Sequence, residues 1–84
     1  MQARRIYERI GICLKEAGAT PRDVIFIRRY LVDMRHAPVM REESAAFFQG
    51  HRPSSTLLQV TGLAQPEFLM EFEIVAVVGS GAAS

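Results

Sequence analysis

The side chains able to do chemistry lie mostly in the second half of the chain. Glu71 and Glu73 alternate with Leu69, Val75 and Val77 along the apolar run Phe68–Val78. A carboxylate with apolar neighbours on a strand face can give and take protons near neutrality, so Glu73 is a candidate catalytic acid or base. The competing reading is a solvated or ion-paired glutamate. Glu71 shares that face and is expected to be structural, paired with Arg28 or Arg29 on a neighbouring strand. Upstream, Arg52, Ser55 and Thr56 bring a guanidinium and two hydroxyls to a loop that contains Pro53. Such groups can bind a ligand carboxylate or phosphate. Loop hydroxyls also form turns, which is the competing role here. Arg28 and Arg29 could serve a cleft or be solvated or paired, and Tyr30 reads as core.

Several other chemistries find no support. Cys13 is the only cysteine, so no intrachain disulfide forms. Its spacing with Ile6, Ile10, Leu14 and Ala17 places it on an apolar helical stripe, where a buried, inert thiol is expected. His36 and His51 lack ligand-like spacing with Cys13 and read as surface residues, so neither a metal nor a cofactor is expected. No Gly-rich phosphate loop, H-E-x-x-H or G-x-S-x-G occurs. Ten basic and nine acidic residues leave a net charge of +1. The basic residues are scattered pairs, not a patch with interleaved aromatics, so no nucleic-acid partner is expected. No apolar run approaches the roughly 20 residues of a membrane span. The first nine residues are periodic, unlike a signal peptide, and a cytoplasmic location is expected.

The elements that must position these groups follow from periodicity. Residues 3–17 carry a helical apolar stripe, and Gly18 is placed to end the helix in the left-handed conformation. Thr20 and Asp23 are spaced for a capped turn. Residues 24–32 are β-branched and aromatic on both faces, as in a central strand. Residues 38–49 read as a second helix, with Pro38 in its first turn, Met40, Ser44, Phe47 and Phe48 facing inward, and Gly50 ending it. Residues 51–55 read as a loop. Residues 56–61 and 68–78 read as strands, joined by a hairpin across Gly62–Glu67. Along the last strand Phe68, Met70, Phe72, Ile74, Ala76 and Val78 share one apolar face. The order is helix, strand, helix, strand, strand, an α+β layer. One domain is expected over residues 1–78, with a flexible tail at 79–84. The second face of the last strand also needs cover, and a further subunit is the economical source.

Several ordered blocks resemble one family. The run Ile10-Gly-Ile-Cys-Leu-Lys-Glu-Ala-Gly-Ala-Thr-Pro-Arg-Asp-Val24 is similar to the RidA/YjgF pattern of a helix, then L-x-x-A-G-A-x-x-x-D-V, then a strand. Tyr30–Met34 resembles the end of that strand, and Glu43–Phe48 the following helix. Arg52–Leu63 and Phe68–Val77 resemble the family's last two strands with their L-V-E-I-E-A-x-A-V ending. The resemblance covers residues 3–78.

The resemblance implies a chorismate-mutase-like fold and a homotrimer with ligand clefts between subunits. It also implies hydrolysis of reactive enamines and imines to a keto acid and ammonia. Glu73 matches the family's acidic residue that orients the attacking water. Two departures stand out. The family has further strands before the helix that opens this chain, so a fold missing its first strands is expected, as in a truncated or partial product. Ser55 stands where typical deaminases have an arginine for the substrate carboxylate, and a hydroxyl cannot replace a bidentate guanidinium. The expected function is therefore a deaminase of small 2-imino or unsaturated amino acids. The alternatives are a non-catalytic trimeric module holding a small carboxylate at Ser55, Thr56 and Arg52, or an inactive fragment. Ribonuclease activity has no support from charge or motif.

Overall fold

A computed structural model describes residues 2–83. Helix α1 runs Gln2–Glu16, strand β1 Val24–Leu31, helix α2 Ala37–Phe48, strand β2 Ser54–Gln59 and strand β3 Met70–Ala76. The order matches the α+β expectation. Among the described residues no helix is long and apolar enough to cross a membrane.

Helix α1 buries Ala3, Tyr7 and Leu14. It ends in a Schellman motif: Ala19 N–H donates to Leu14 C=O at 2.7 Å and Gly18 N–H to Lys15 C=O at 3.0 Å. Gly18 takes φ 78°, which only glycine reaches without strain. Cys13 is exposed, contrary to expectation. Successive helical residues turn by about 100°. The buried stripe centres on Tyr7 and Leu14, and that rotation carries Cys13 off it.

Strand β1 is central, as its apolar character on both faces predicts, with sheet order β2-β1-β3. It pairs parallel with β2 and antiparallel with β3. The expected hairpin between the last two strands is therefore absent, because β1 lies between them. Two parallel strands need a crossover, and α2 supplies it from β1 to β2. The segment after β2 then passes to the far side of β1. Pattern alone reveals strands but not which strand each one pairs with.

Both helices cover one face of the sheet. Ile27 and Leu31 are fully buried there and anchor two adjoining clusters. Tyr7, Phe47, Phe48 and Phe72 meet above Ile27, with Tyr7 and Phe72 ring centroids 5.0 Å apart. Aromatic pairs at such distances contribute beyond their buried area. Met40, Ser44 and Phe48 face inward from α2 as expected, and Phe47 is half-buried. The helix ends one residue earlier than predicted, with Gln49 left-handed at φ 48° just before Gly50.

Asp23 is buried and organises both chain ends of the sheet. Its carboxylate accepts from Thr20 N–H at 3.0 Å and from Gly81 N–H at 2.8 Å. Its own C=O accepts from Val77 N–H. The predicted capped turn thus forms at Pro21–Asp23. Ser80–Ala83, expected within a flexible tail, forms a 3-10 turn docked on Asp23. Gly81 lies so close to the Arg22 carbonyl that a Cβ would sit 2.5 Å from its oxygen. Ser84 lies outside the described residues.

Two outcomes are expected. Ile27→Ala truncates one of the largest fully buried side chains and should lower unfolding free energy by about 2–5 kcal/mol in urea melts. The Gly81 and Thr20 amides hold the Asp23 carboxyl below the usual carboxylate range. A depressed folded-state value contributes stability above the unfolded value of about 3.9, and that contribution is lost as pH falls through the folded value. Asp23→Asn should therefore lower the thermal midpoint at neutral pH and flatten its decline below about pH 4.

Candidate functional site

Strand alternation sorts the candidate residues onto two faces. Phe26, Arg28 and Tyr30 of β1 point away from the helices. In register with Arg28 stand Thr56 on β2 and Glu73 on β3. In register with Tyr30 stand Leu58 and Glu71. These residues form an outer face that no element among the described residues covers. Ile25, Leu58, Val75 and Val77 add apolar area to it, Val75 being 52% exposed.

Glu73 is the centre of this face. Its Oε1 accepts from the Tyr30 hydroxyl and lies 3.9 Å from Arg28 Nη1. Arg28 also sits over the Phe26 ring, 5.5 Å from its centroid. Its guanidinium is held above its ordinary value, first by Tyr30 and then by Glu73. The arginine pairing expected for Glu71 falls to Glu73. Glu73, not Glu71, takes the arginine, because the β1–β3 register sets Glu73 opposite Arg28. Glu71 is exposed, without a hydrogen bond or ion pair among the described residues. Tyr30 is not core: its ring lies on the outer face and its hydroxyl belongs to Glu73.

Ser55 lies on the other side. It pairs with Ile27, so it shares the helix-covered face at the β2 edge. Ser55 belongs to β2, not to the expected loop, Thr56 lies in the strand as expected, and as neighbours in one strand they face opposite ways. The predicted trio is therefore divided: Thr56 joins Glu73, while Ser55 joins Arg52. Ser55 and Arg52 line a cavity of about 450 Å³ with Arg29, Arg41, Ser44 and His51.

Arg29 is the inner counterpart of Arg28. Its Nε donates to the Tyr7 hydroxyl at 3.2 Å and its Nη2 to Ser44 Oγ at 2.5 Å. No carboxylate balances it. His51 is half-buried, with Nε2 2.7 Å from Val24 C=O, and is not the free surface residue expected. Arg41 escaped the sequence reading, and Ser44 figures there only in the inward stripe of α2, not as a site residue. Their i, i+3 spacing on α2, in line with buried Phe48, was the available signal. Among the described residues no cluster of three or more His, Cys, Asp or Glu side chains forms that could hold a metal.

With this arrangement in view, relatives can be set beside it. A family model described as Endoribonuclease L-PSP matches residues 1–78. The chain belongs to that family, the RidA/YjgF family.

The 3-aminoacrylate deaminase RutC of Acinetobacter baylyi is 35% identical over 75 residues, 89% of this chain and 59% of that protein. A RutC family protein of Pyrococcus abyssi is 32% identical over 75 residues, 58% of its own length. The crystal structure of a Mycobacterium tuberculosis member of the YjgF family superposes with a TM-score of 0.85 at 37% identity. That match covers 90% of this chain and 64% of the other. The chain thus spans about three fifths of the length of the curated relatives it matches. The RidA/YjgF fold expected from the sequence is the fold observed.

The inner arginine gives a direct test. Ser44→Ala leaves Arg29 one partner short in a half-buried position. A lost hydrogen bond to a charged group should destabilise the protein by about 1.5–3 kcal/mol in denaturant melts. Ala46→Ser, on the exposed side of the same helix, should change stability by less than about 0.5 kcal/mol.

Proposed function

We propose that this chain is a deaminase-type member of the RidA/YjgF family that hydrolyses small enamines or imines, with Glu73 as the catalytic carboxylate. One observation carries the reading: Glu73 stands on the uncovered face between the Arg28 guanidinium and the Tyr30 hydroxyl. The relative described as a 3-aminoacrylate deaminase supports this reaction class.

The chemistry needs one proton shuttle. An enamine protonated on carbon becomes an imine. Water attacks the imine carbon while a carboxylate takes its proton. The same carboxyl returns that proton to nitrogen, and the carbinolamine collapses to a ketone and ammonia. Glu73 supplies the shuttle. Arg28 and Tyr30 fix its orientation. Thr56, beside Arg28, offers a hydroxyl to a substrate oxygen.

Ser55 and Arg52 are turned away from Glu73 within one chain. A small substrate cannot touch both faces of a sheet at once. The reading therefore places the complete site between copies, where one subunit's outer face meets another's β2 edge. A homotrimer is the assembly we propose, and the exposed apolar outer face supports it. A second reading rests on Ser55: without an arginine there, the assembly holds a small carboxylate and turns nothing over.

The test is ammonia release from a freshly generated 2-imino acid, with particle mass measured by light scattering. The expected result is turnover by a particle of three chains. Glu73→Gln should lower the rate by a factor of about 10²–10⁴, the usual worth of a general acid or base. Full activity in that variant would exclude Glu73, and a folded trimer without turnover would favour the binding module.

A further inference from the structure

The cavity at the β2 edge gathers three arginines and no carboxylate. Arg29, Arg41 and Arg52 reach it from three different segments: β1, α2 and the turn before β2. Ser44, Ser55 and His51 add polar groups. No aspartate or glutamate lines it. Arg29 spends its guanidinium on Tyr7 and Ser44. Arg41 and Arg52 are exposed, and neither has a hydrogen bond or ion pair among the described residues. Three arginines elsewhere do carry ion pairs: Arg4 with Glu43, Arg28 with Glu73, and Arg35 with Asp33.

We propose that this cavity is a binding site for small dicarboxylates, held by Arg41 and Arg52 with the Ser55 hydroxyl. Three like charges around one cavity repel, and a dianion relieves that repulsion. A guanidinium presents a planar fork that matches a carboxylate in two parallel hydrogen bonds. Two unengaged forks on different segments suit two carboxylates better than one. The walls supplied by Ala45, Phe48 and Pro53 are apolar, which suits a short carbon chain between the charged ends. A volume of about 450 Å³ leaves room for such a skeleton, whereas a single phosphate would leave much of it empty. Arg29 lies behind these groups and adds field without giving up its own partners.

The inference deepens the deaminase reading by naming a dicarboxylic substrate class, and it rests on that reading only for the role of the bound molecule. Binding itself is measured without turnover. The experiment is calorimetric titration of the full chain at low salt with glutarate, butyrate and inorganic phosphate. The variants are Arg41→Gln, Arg52→Gln and the double substitution. Arg35→Gln controls for net charge.

Glutarate should bind at least about tenfold more tightly than butyrate, since each lost charged contact is worth about that factor. Arg41→Gln and Arg52→Gln should each remove most of that preference, and Arg35→Gln none of it. Glutarate should also raise the thermal midpoint of the wild type and leave that of the double variant unmoved, by linkage. Equal binding of butyrate and glutarate, or undiminished glutarate binding in the double variant, would overturn the proposal. Tighter binding of phosphate than of glutarate would overturn it in favour of a phosphate site. Ammonia release without glutarate binding defeats this inference and leaves the deaminase reading standing. Glutarate binding lost in the double variant, with no ammonia release, does the reverse.

Discussion

Every assignment in this chain depends on one constraint: successive residues of a strand point to opposite faces. Strand β1 lies between its two neighbours, so its alternation dictates theirs. Ile27, Arg29 and Leu31 go under the helices, and Phe26, Arg28 and Tyr30 go out. Through the two registers this choice sends Ser55 and Leu57 inward, and Thr56, Glu71 and Glu73 outward. A shift of one residue in the β1–β3 pairing would exchange the faces of β3 and turn Glu73 beneath Tyr7 and Phe47. Burial of Met70, and the packing of Phe72 and Ile74 against the core, oppose that shift. The core thus fixes the position of the carboxylate as well as the stability of the fold.

The two adjacent arginines show how differently one charge can be accommodated. Arg28 meets a carboxylate, a phenol and an aromatic ring on an exposed face, where the ion pair itself is worth little. Its value is positional, because it limits where the Glu73 carboxylate can point. Arg29 meets only hydroxyls on the covered face. Hydroxyls satisfy its donors without cancelling its charge, so its field extends into the cavity beside it. A carboxylate at Ser44 would have satisfied the same donors and cancelled one of the three charges around that cavity. The choice of serine there matters more than its size suggests.

Much of the fold was legible because it follows from period and punctuation. The stripe of α1, Gly18 as its terminator, the capped turn at Thr20–Asp23 and the central character of β1 all appear in local sequence. The hairpin failed because strand pairing is not local. Gly62–Glu67 looks like a turn, but it says nothing about whether β3 returns to β2 or crosses to β1. Cys13 failed through a small error of phase: Ile6 and Ile10 suggested one stripe centre, while Tyr7 and Leu14 set another. The paired arginines were visible as letters, yet only the register shows that one faces Glu73 and the other Ser44. Arg41, Arg52 and Arg29 looked scattered because they are far apart in sequence; the crossover through α2 gathers them.

The divided site has a consequence for assembly. The outer face carries both the catalytic candidate and exposed apolar area, with Leu58 and Val75 flanking Arg28 and Glu73. Apolar cover would remove water from around that ion pair and strengthen it, since screening is weaker away from solvent. The same cover would enclose any small molecule resting on Glu73. In a lone chain Glu73 is an ordinary surface carboxylate held in place by two neighbours. In the trimer proposed above it would be an enclosed one, beside groups drawn from the partner's edge. On that proposal chemistry and association are coupled through one sheet face: what would complete the hydrophobic cover would also complete the site.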